Sequence, residues 1–374
     1  MPPDFSRDVV CVLGLPFDAI DMAQAEAAVR RAIRERTRCF FSTPNLNFAV
    51  GCQGDAAFRN SVLQSDLSLA DGWPVLMAAR LLGSPLPERV TGSGLFERLC
   101  KASKNAHGNA SREPVSVYFF GGPKGAAQSA CARLNASAAN VRCAGFDAPG
   151  FGSLDAMSSG SHLDALNAAD ADFVVVALGA KKGQAWIQRN LQRIKAPVVA
   201  HLGAVVNFAA GTVRRAPAWA QWLGLEWLWR VKEEPALWRR YATDGVALIR
   251  LLITRVLPLA VYLRMHAPSR QALADARVTV VHGPQQGVLR IEGAWTRANL
   301  QPMRELLQLH VAQHRPLALD LSAVTCLDGA AIGLLTLLYG WQNKSGLGWS
   351  VVAASAPARR SLHLACADYL LAEA

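Results

Sequence analysis

Short runs of β-branched and aromatic residues alternate with stretches of helical periodicity through the first 210 residues. Strands separated by helices favour a doubly wound α/β fold, in which a Rossmann-like, mostly parallel sheet has helices on both faces. In such sheets ligands bind beyond the carboxyl ends of the strands, so the residues that follow each strand are the first candidates for a site. Five runs predict strands: Cys39–Ser42, Leu67–Ala70, Val115–Phe120, Asp172–Leu178 and Pro197–Leu202.

Asp71 is the only acidic side chain at the end of a predicted strand in this half of the chain. An aspartate there can accept a proton from an attacking hydroxyl group. It can equally cap the helix that follows, a role that needs no substrate. Thr43 and Asn45 offer polar groups at another strand end, and capping is the simpler interpretation there too.

Two glycine-rich turns follow predicted strands, at Gly122 and at Gly179. A strand-to-helix turn of this kind can present backbone N–H groups to a phosphate. The second turn also carries Lys182, which favours an anionic ligand. Neither turn matches the GxGxxG or GxxxxGK[ST] patterns, so a nicotinamide-dependent oxidoreductase and a P-loop enzyme are disfavoured.

Beyond residue 210 the pattern changes twice. Residues 211–266 are predicted to form a basic, helical appendage, and residues 267–277, which begin with APSR, are predicted to be a linker. Residues 278–374 restart with four predicted strands and three helices, which is enough for an independent small α/β domain. The first 210 residues are then the main α/β domain.

The appendage holds five of the ten tryptophans of the chain among clustered arginines. Tryptophan favours the membrane interface, and arginine favours phosphate, so the segment suits a phosphorylated, lipid-linked partner. A surface helix pair with packed tryptophans and solvated arginines is the alternative. The apolar window 246–263 is interrupted by arginines and Pro258, which disfavours a membrane span and favours an interfacial or docked helix. The arginines of interest are Arg214, Arg215, Arg230, Arg239 and Arg240.

The net charge of +11 suits an anionic lipid or a phosphorylated substrate. No RNA-binding aromatic motif, zinc finger or long lysine run is present, so we expect no nucleic-acid partner. The eight cysteines are scattered without a CxxC pair, which disfavours a disulfide framework or a zinc site and favours the cytoplasm. The first twenty residues lack the basic start and apolar stretch of a signal peptide.

Metal and hydrolase sites find little support in the sequence. The pair Asp170 and Asp172 has the DxD spacing used to hold divalent metals, but it precedes its strand and so is expected at the opposite sheet edge. The histidines are dispersed, and no GxSxG elbow occurs. We therefore expect an activity that needs no metal or other cofactor.

Several strings, in this order, resemble the WecG/TagA/CpsF glycosyltransferases (glycosyltransferase family 26) over residues 8–243. They are TPNLNFAV, ADGWPVLMAARLLGSPLPERVTG, VYFFGG, VVVALGAKKGQAWIQRN and AGTVRRAPAWAQWLGLEWLWRVKEEPALWRRY. The resemblance implies an inverting transferase that moves a sugar, such as N-acetylmannosamine, from a UDP-sugar to an undecaprenyl-diphosphate-linked sugar. It places the protein peripherally at the inner face of the cell membrane.

The resemblance also implies roles for individual residues. Asp71 matches the proposed catalytic base, and Arg89 matches an arginine of the substrate site. Thr43 and Asn45 match polar residues of the same pocket. Gly122, Gly179, Lys182 and Gln184 complete the implied substrate site. The five appendage arginines match the basic segment that is thought to reach the lipid diphosphate and the membrane.

Three departures from the family pattern each remove a carboxylate. Gly183-Gln184 stands where Gln-Glu is common, and Gly94 and Asn207 stand where Asp is common. They leave open the donor, which can be N-acetylmannosaminyl, glucosyl, glucuronosyl or another sugar. They also motivate a second hypothesis, a decayed transferase that senses a nucleotide sugar or lipid.

The C-terminal unit resembles a STAS domain through LALDLSAVTCLDGAAIGLLTLL, residues 317–338. In regulatory members a phosphorylatable serine follows the aspartate, whereas here Gly329 follows Asp328. The resemblance therefore implies docking to a protein partner or self-association. In the sensor hypothesis this unit would pass the signal on.

Overall fold

The computed structural model describes residues 4–101, 114–137, 139–150, 152–213, 216–217, 226–233, 235–283 and 286–372. Its strands form a two-stranded, a six-stranded and a four-stranded sheet. The strands are β1 Val9–Val12, β2 Leu15–Asp18, β3 Cys39–Ser42, β4 Leu67–Ser68, β5 Val115–Gly121, β6 Val141–Asp147, β7 Phe173–Ala177, β8 Val198–His201, β9 Arg277–His282, β10 Gly287–Trp295, β11 Leu317–Leu327 and β12 Ser350–Ala354.

The α-helices of the described residues are numbered in chain order. They are α1 Met22–Glu35, α2 Leu46–Gly54, α3 Ala56–Leu63, α4 Trp73–Leu81, α5 Gly92–Cys100, α6 Ala126–Ala136, α7 Gly160–Ala168, α8 Ala180–Asn190, α9 Gly203–Ala210, α10 Glu226–Glu233, α11 Trp238–Leu251, α12 Leu257–Met265, α13 Arg270–Ala274, α14 Gln301–Val311, α15 Gly329–Lys344 and α16 Ala356–Leu364.

The central sheet is parallel and has the order β4-β3-β8-β7-β5-β6. Alternate strand residues point to opposite faces, so its side chains divide between two cores. One core lies under α1, α5, α6 and α9, and the other under α7 and α8. The predicted doubly wound α/β class is confirmed, and β6 is a sixth strand that the pattern did not predict.

The hairpin β1–β2 was also not predicted. It stands apart from the central sheet and packs against α15 of the C-terminal unit. Its turn is fixed there, because the hydroxyl of Tyr369 donates to the carbonyl of Gly14 at 2.8 Å. The hairpin therefore finds its partner more than 300 residues away along the chain.

The C-terminal unit is a four-stranded sheet of order β12-β11-β10-β9, with β9 antiparallel and the others parallel. Its strand and helix order is the predicted one. The predicted linker 267–277 is not structureless, because α13 lies within it and Asn299 donates to the carbonyl of Leu273 at 2.9 Å. The boundaries proposed for the domains remain predictions.

Helix α11 runs into α12 through a π-helical turn, Leu252–Val256, so that one helix spans Trp238–Met265. We call this the long helix. Pro258 does not end it. Proline lacks an N–H and crowds the preceding turn, and the wider π turn immediately before it accommodates that crowding. By length and composition alone the long helix is long and apolar enough to cross a membrane.

One pair of cysteines forms a disulfide, which the sequence did not predict. Cys131 of α6 and Cys143 of β6 are joined by a disulfide, whereas the scattered spacing disfavoured disulfides. The remaining six cysteines are free thiols. The bonded pair lies at the far edge strand of the central sheet.

Candidate active site

The carboxyl ends of β3, β4, β5, β7 and β8 meet around one cavity of about 680 Å³. This is where a doubly wound sheet binds its ligands. The structure brings most of the predicted substrate residues together here. Those that line the cavity are Thr43, Asn45, Asp71, Arg89, Gly122 and Gly179.

Asp71 is partly exposed to the cavity, and its backbone N–H donates to the carbonyl of Pro44 at 3.1 Å. It does not cap the following helix. Gly72 occupies the N-cap of α4, and no side chain accepts a hydrogen bond there. The capping interpretation of Asp71 is therefore wrong, and its carboxylate faces the cavity instead.

The environment of Asp71 keeps its proton affinity unusually high. Burial raises the pKa of the carboxyl group to about 6. Arg89 opposes this rise, and so do the backbone N–H of Gly92 and the charge of Arg230, whereas Glu226 reinforces it. A carboxylate with this pKa is ionised at neutral pH and accepts a proton more readily than an ordinary aspartate.

Arg89 reaches the cavity but is held by an acid that sequence reasoning missed. Its guanidinium binds both carboxylate oxygens of Glu226, at 2.8 and 3.2 Å. Glu226 begins α10 of the appendage, a helix without a buried residue. The bidentate ion pair therefore joins the appendage to the rim of the active-site cavity.

Asn45 caps α2 by accepting from the N–H of Phe48 at 3.3 Å, so its capping interpretation holds while it also lines the cavity. Thr43 is buried beside it. Gly122 has a φ of +95°, in the region that favours glycine, and its N–H donates to the carbonyl of Ala177 at 2.8 Å. Gly179 precedes α8, whose first turn opens onto the cavity.

Two predicted substrate residues lie outside the cavity lining. The ammonium group of Lys182 donates to the carbonyl of Gly152 at 2.5 Å. Gln184 is fully buried and donates to the hydroxyl of Ser42 at 3.0 Å. The glycine-rich turn is therefore placed as expected, but these two side chains point away from it.

The appendage supplies one wall of the cavity. Arg230 and Arg240 line it, whereas Arg239 is exposed and lies beside the ring of Trp238. Arg214 and Arg215 are outside the described residues. Asp244, the one buried residue of α11, accepts from Asn47 at 3.3 Å and ties the long helix to α2.

Asp170 and Asp172 both bind Arg36, at 3.0 and 3.1 Å, at the opposite sheet edge. The two carboxylates of the DxD pair thus form ion pairs with one arginine, which is a structural role. Within the described part of the chain, no cluster of three or more His, Cys, Asp or Glu suited to a metal ion occurs.

Comparison with known proteins adds the family. A model of the glycosyl transferase WecG/TagA/CpsF family matches residues 10–260, and a model of the STAS domain of the Mlab type matches residues 278–372.

Among similar proteins, the N-acetylglucosaminyldiphosphoundecaprenol N-acetyl-beta-D-mannosaminyltransferase of Bacillus spizizenii is 26% identical over 54% of this chain and 74% of its own length. The transferase of the same name from Bacillus subtilis is 26% identical over 56% of this chain and 77% of its own. The transferase of that name from Staphylococcus aureus strain MW2 is 25% identical over 62% of this chain and 86% of its own length. The chain thus belongs to the WecG/TagA/CpsF family of glycosyltransferases and carries a C-terminal STAS domain.

Proposed function

We propose that the protein transfers a sugar from a UDP-sugar to a sugar carried on undecaprenyl diphosphate, during assembly of a bacterial surface polysaccharide. The names of the relatives support the acceptor class. The observation that carries the proposal is Asp71, whose carboxyl group lines the cavity and has a pKa of about 6. This side chain does not cap the helix that follows it. A general base of this strength suits deprotonation of a sugar hydroxyl at neutral pH.

In the proposed reaction the acceptor hydroxyl attacks the anomeric carbon of the donor sugar from the face opposite UDP. Asp71 takes the hydroxyl proton as the new C–O bond forms. The bond to the β-phosphate oxygen breaks, and UDP leaves with the electron pair, so the anomeric configuration inverts. Arg230 and Arg240 line the same cavity and supply positive charge for the leaving group without a metal.

The first turns of α8 and α9 also open onto this cavity. The N–H groups at the start of a helix lack partners within the helix, and the helix dipole favours an anion there. Neither helix has a side-chain cap at its N-terminus. These groups suit the diphosphate of a nucleotide sugar.

We further propose that the protein sits peripherally on the cytoplasmic face of the cell membrane. Six apolar side chains of the long helix recur every three or four residues and stay exposed, so that they form one stripe. The exposed stripe consists of Val246, Ile249, Ile253, Leu257, Val261 and Met265, each at least 45% exposed. It extends for about 28 Å at 1.5 Å per residue.

The opposite face of the long helix is fastened to the protein, which favours lying in the membrane interface over crossing it. Val256, Leu259 and Ala260 are buried there. The guanidinium of Arg264 donates to the carbonyl of Leu81 at 3.0 Å. A bilayer under the exposed stripe would bring a lipid-linked acceptor to the appendage wall of the cavity.

The test is UDP release from a panel of UDP-sugars, with and without a short-chain lipid-diphosphate-sugar acceptor. We expect acceptor-dependent release from one donor and a loss of about 10²–10⁴-fold in Asp71→Asn. The wild-type rate should fall as the pH drops below about 6, because protonation of Asp71 removes the base. Loss of that inflection in the residual activity of Asp71→Asn assigns it to this residue.

Folding stability supplies a control for the same variant. Because the pKa of Asp71 is raised in the folded state, the folded state binds more protons between about pH 4 and 6, and stability falls as the pH rises through that window. Asp71→Asn should therefore melt no lower than wild type at pH 7.5. A fully active Asp71→Asn protein contradicts the mechanism, and binding of a donor without release favours the sensor hypothesis.

A further inference from the structure

Arg89 and Asp71 come from neighbouring stretches of backbone at the rim of the cavity. The N–H of Val90 donates to the carbonyl of Ala70 at 2.9 Å, which holds the two stretches together. The carboxylate of Asp71 accepts from the N–H of Gly92 in the second stretch. The guanidinium of Arg89 is close enough for its charge to favour the ionised form of Asp71, and an arginine so placed would ordinarily pair with the aspartate.

Arg89 forms its ion pair with Glu226 instead. Both oxygens of Glu226 accept from the guanidinium, at 2.8 and 3.2 Å, and the described part of the chain has no ion pair between Arg89 and Asp71. The side chains of Arg89 and Glu226 are 17% and 27% exposed, so water screens this pair less than a surface pair. Glu226 thus engages the guanidinium and leaves the carboxylate of Asp71 open to the cavity.

We propose that Glu226 is a positioning residue of the reaction, which holds Arg89 away from the carboxylate of Asp71 so that this base stays free to accept the proton of the acceptor hydroxyl. The inference rests on the proposed function. It gives the appendage a role in the proton transfer as well as in binding the acceptor. Both oxygens of Glu226 are engaged by Arg89, so Glu226 acts through this arginine and is not a second base.

The charges around Asp71 set the direction of the expected effect. Of those with the largest influence on its pKa, Arg89 and Arg230 lower it and Glu226 raises it. His201, at the end of β8, is neutral at pH 7, because burial lowers its pKa to about 4. Removal of the charge of Glu226 should therefore leave the arginines in excess and lower the pKa of Asp71. Among the described residues, the other charged side chains that line the cavity are Glu233, Arg240 and Asp244.

The test is a carbon-13 NMR titration of labelled aspartate carboxyl groups in the full chain, with the signal of Asp71 assigned by its loss in Asp71→Asn. Glu226→Gln removes the charge but keeps an oxygen that can accept from Arg89. The midpoint of the Asp71 titration should move to lower pH in this variant, because the arginine is then free to approach the carboxylate. Glu226→Asp keeps the charge, so its midpoint should stay close to that of wild type.

The pH dependence of UDP release should follow the titration. In Glu226→Gln the acid inflection should move to lower pH, and the rate at pH 7.5 should fall about threefold to tenfold, because a weaker base accepts the proton less readily. Glu26→Gln is the matched control, since Glu26 also binds arginines, Arg30 and Arg98, but does so outside the cavity. It should leave the Asp71 midpoint unchanged, whatever it does to stability.

Helix α10 has no buried residue, so Glu226→Gln should fold, and Glu226→Ser is a second neutral variant with the same expected shift. A midpoint that stays in place or rises in both variants would overturn the inference, and so would an equal shift in Glu26→Gln. The transferase proposal would survive these results, because the titration is read without substrate. If the midpoint moves as expected but the wild-type protein releases no UDP, the proposed function fails, and with it the catalytic role of Glu226, while its hold on Arg89 stands.

Discussion

Two apolar helices of this protein have opposite surroundings. Helix α15 of the STAS domain buries 14 of its 16 residues, between the hairpin β1–β2 and the body of the small sheet. The long helix has a window with mean hydropathy 2.0, yet only 22% of that window is buried. Hydropathy alone therefore does not say whether an apolar helix meets protein or faces outward.

The residues between the apolar positions distinguish the two helices. Along α15, Gly333 and Gly340 allow backbone to approach closely, since Cβ atoms there would lie 3.0 Å from the carbonyl oxygen of Val9 and 2.8 Å from the carbonyl carbon of Leu63. The long helix instead carries Arg250, Arg255 and Arg264 beside its apolar face. Small residues indicate a protein partner, and flanking arginines are typical of a membrane interface.

Gly340→Ala should have the largest effect on this comparison. Its new methyl group overlaps the backbone of Leu63, so α15 must move away from α3, and we expect a loss of about 1–3 kcal/mol in the free energy of unfolding. Gly245→Ala, in the long helix, is the matched control because nothing lies within 4 Å of its Cβ position.

Denaturant unfolding measures both variants. The control should gain about 0.5–1 kcal/mol, because alanine favours a helix over glycine. Equal changes in the two proteins would contradict the close docking of the STAS domain on the glycosyltransferase domain. That docking buries α15 within the protein. A partner or self-association of the STAS domain through its other surfaces stays a prediction.

The strand-end cluster could be predicted because parallel strands place their carboxyl ends at one edge, which needs only local patterns. Thr43, Asn45 and Asp71 were found this way. Glu226 could not be paired with Arg89, because 137 residues separate them and the pairing depends on how the appendage folds back. Its only signal was an acid inside a basic segment.

The hairpin β1–β2 was missed for a similar reason. The hairpin strands are four residues each and buried on both faces, and the burial of the second face depends on α15, which packs against it. Local periodicity therefore predicts the sheet but not these long-range partners.

Replacing exposed-stripe residues tests the outward-facing helix. Ile249→Ser, Ile253→Ser and Val261→Ser together should weaken binding to vesicles that contain anionic phospholipid by on the order of 10²-fold, because three partly inserted side chains are lost. Vesicle cosedimentation measures this affinity. Thermal stability should change little, since all three are more than half exposed.

The matched control replaces exposed apolar residues of the STAS domain, Leu309→Ser and Val352→Ser. Vesicle binding should survive these changes. If both sets weaken binding equally, the membrane contact is not specific to the long helix. If the wild-type protein binds no vesicles and instead dimerises through the exposed stripe, the partner of this helix is a second copy.

Arg255→Ala should have the smallest effect, and it tests how the long helix is held to the protein. Its guanidinium donates to the carbonyl of His363 at 2.7 Å, which joins the π turn to α16. Loss of one exposed hydrogen bond should cost about 0.5–1.5 kcal/mol locally, so amide exchange should accelerate in residues 252–256 and 356–364. Arg250→Ala, one turn earlier, is the control and should leave that exchange unchanged. Unchanged exchange in Arg255→Ala would mean that apolar packing by Val256 and Leu259 is sufficient to hold this part of the helix without the hydrogen bond to His363.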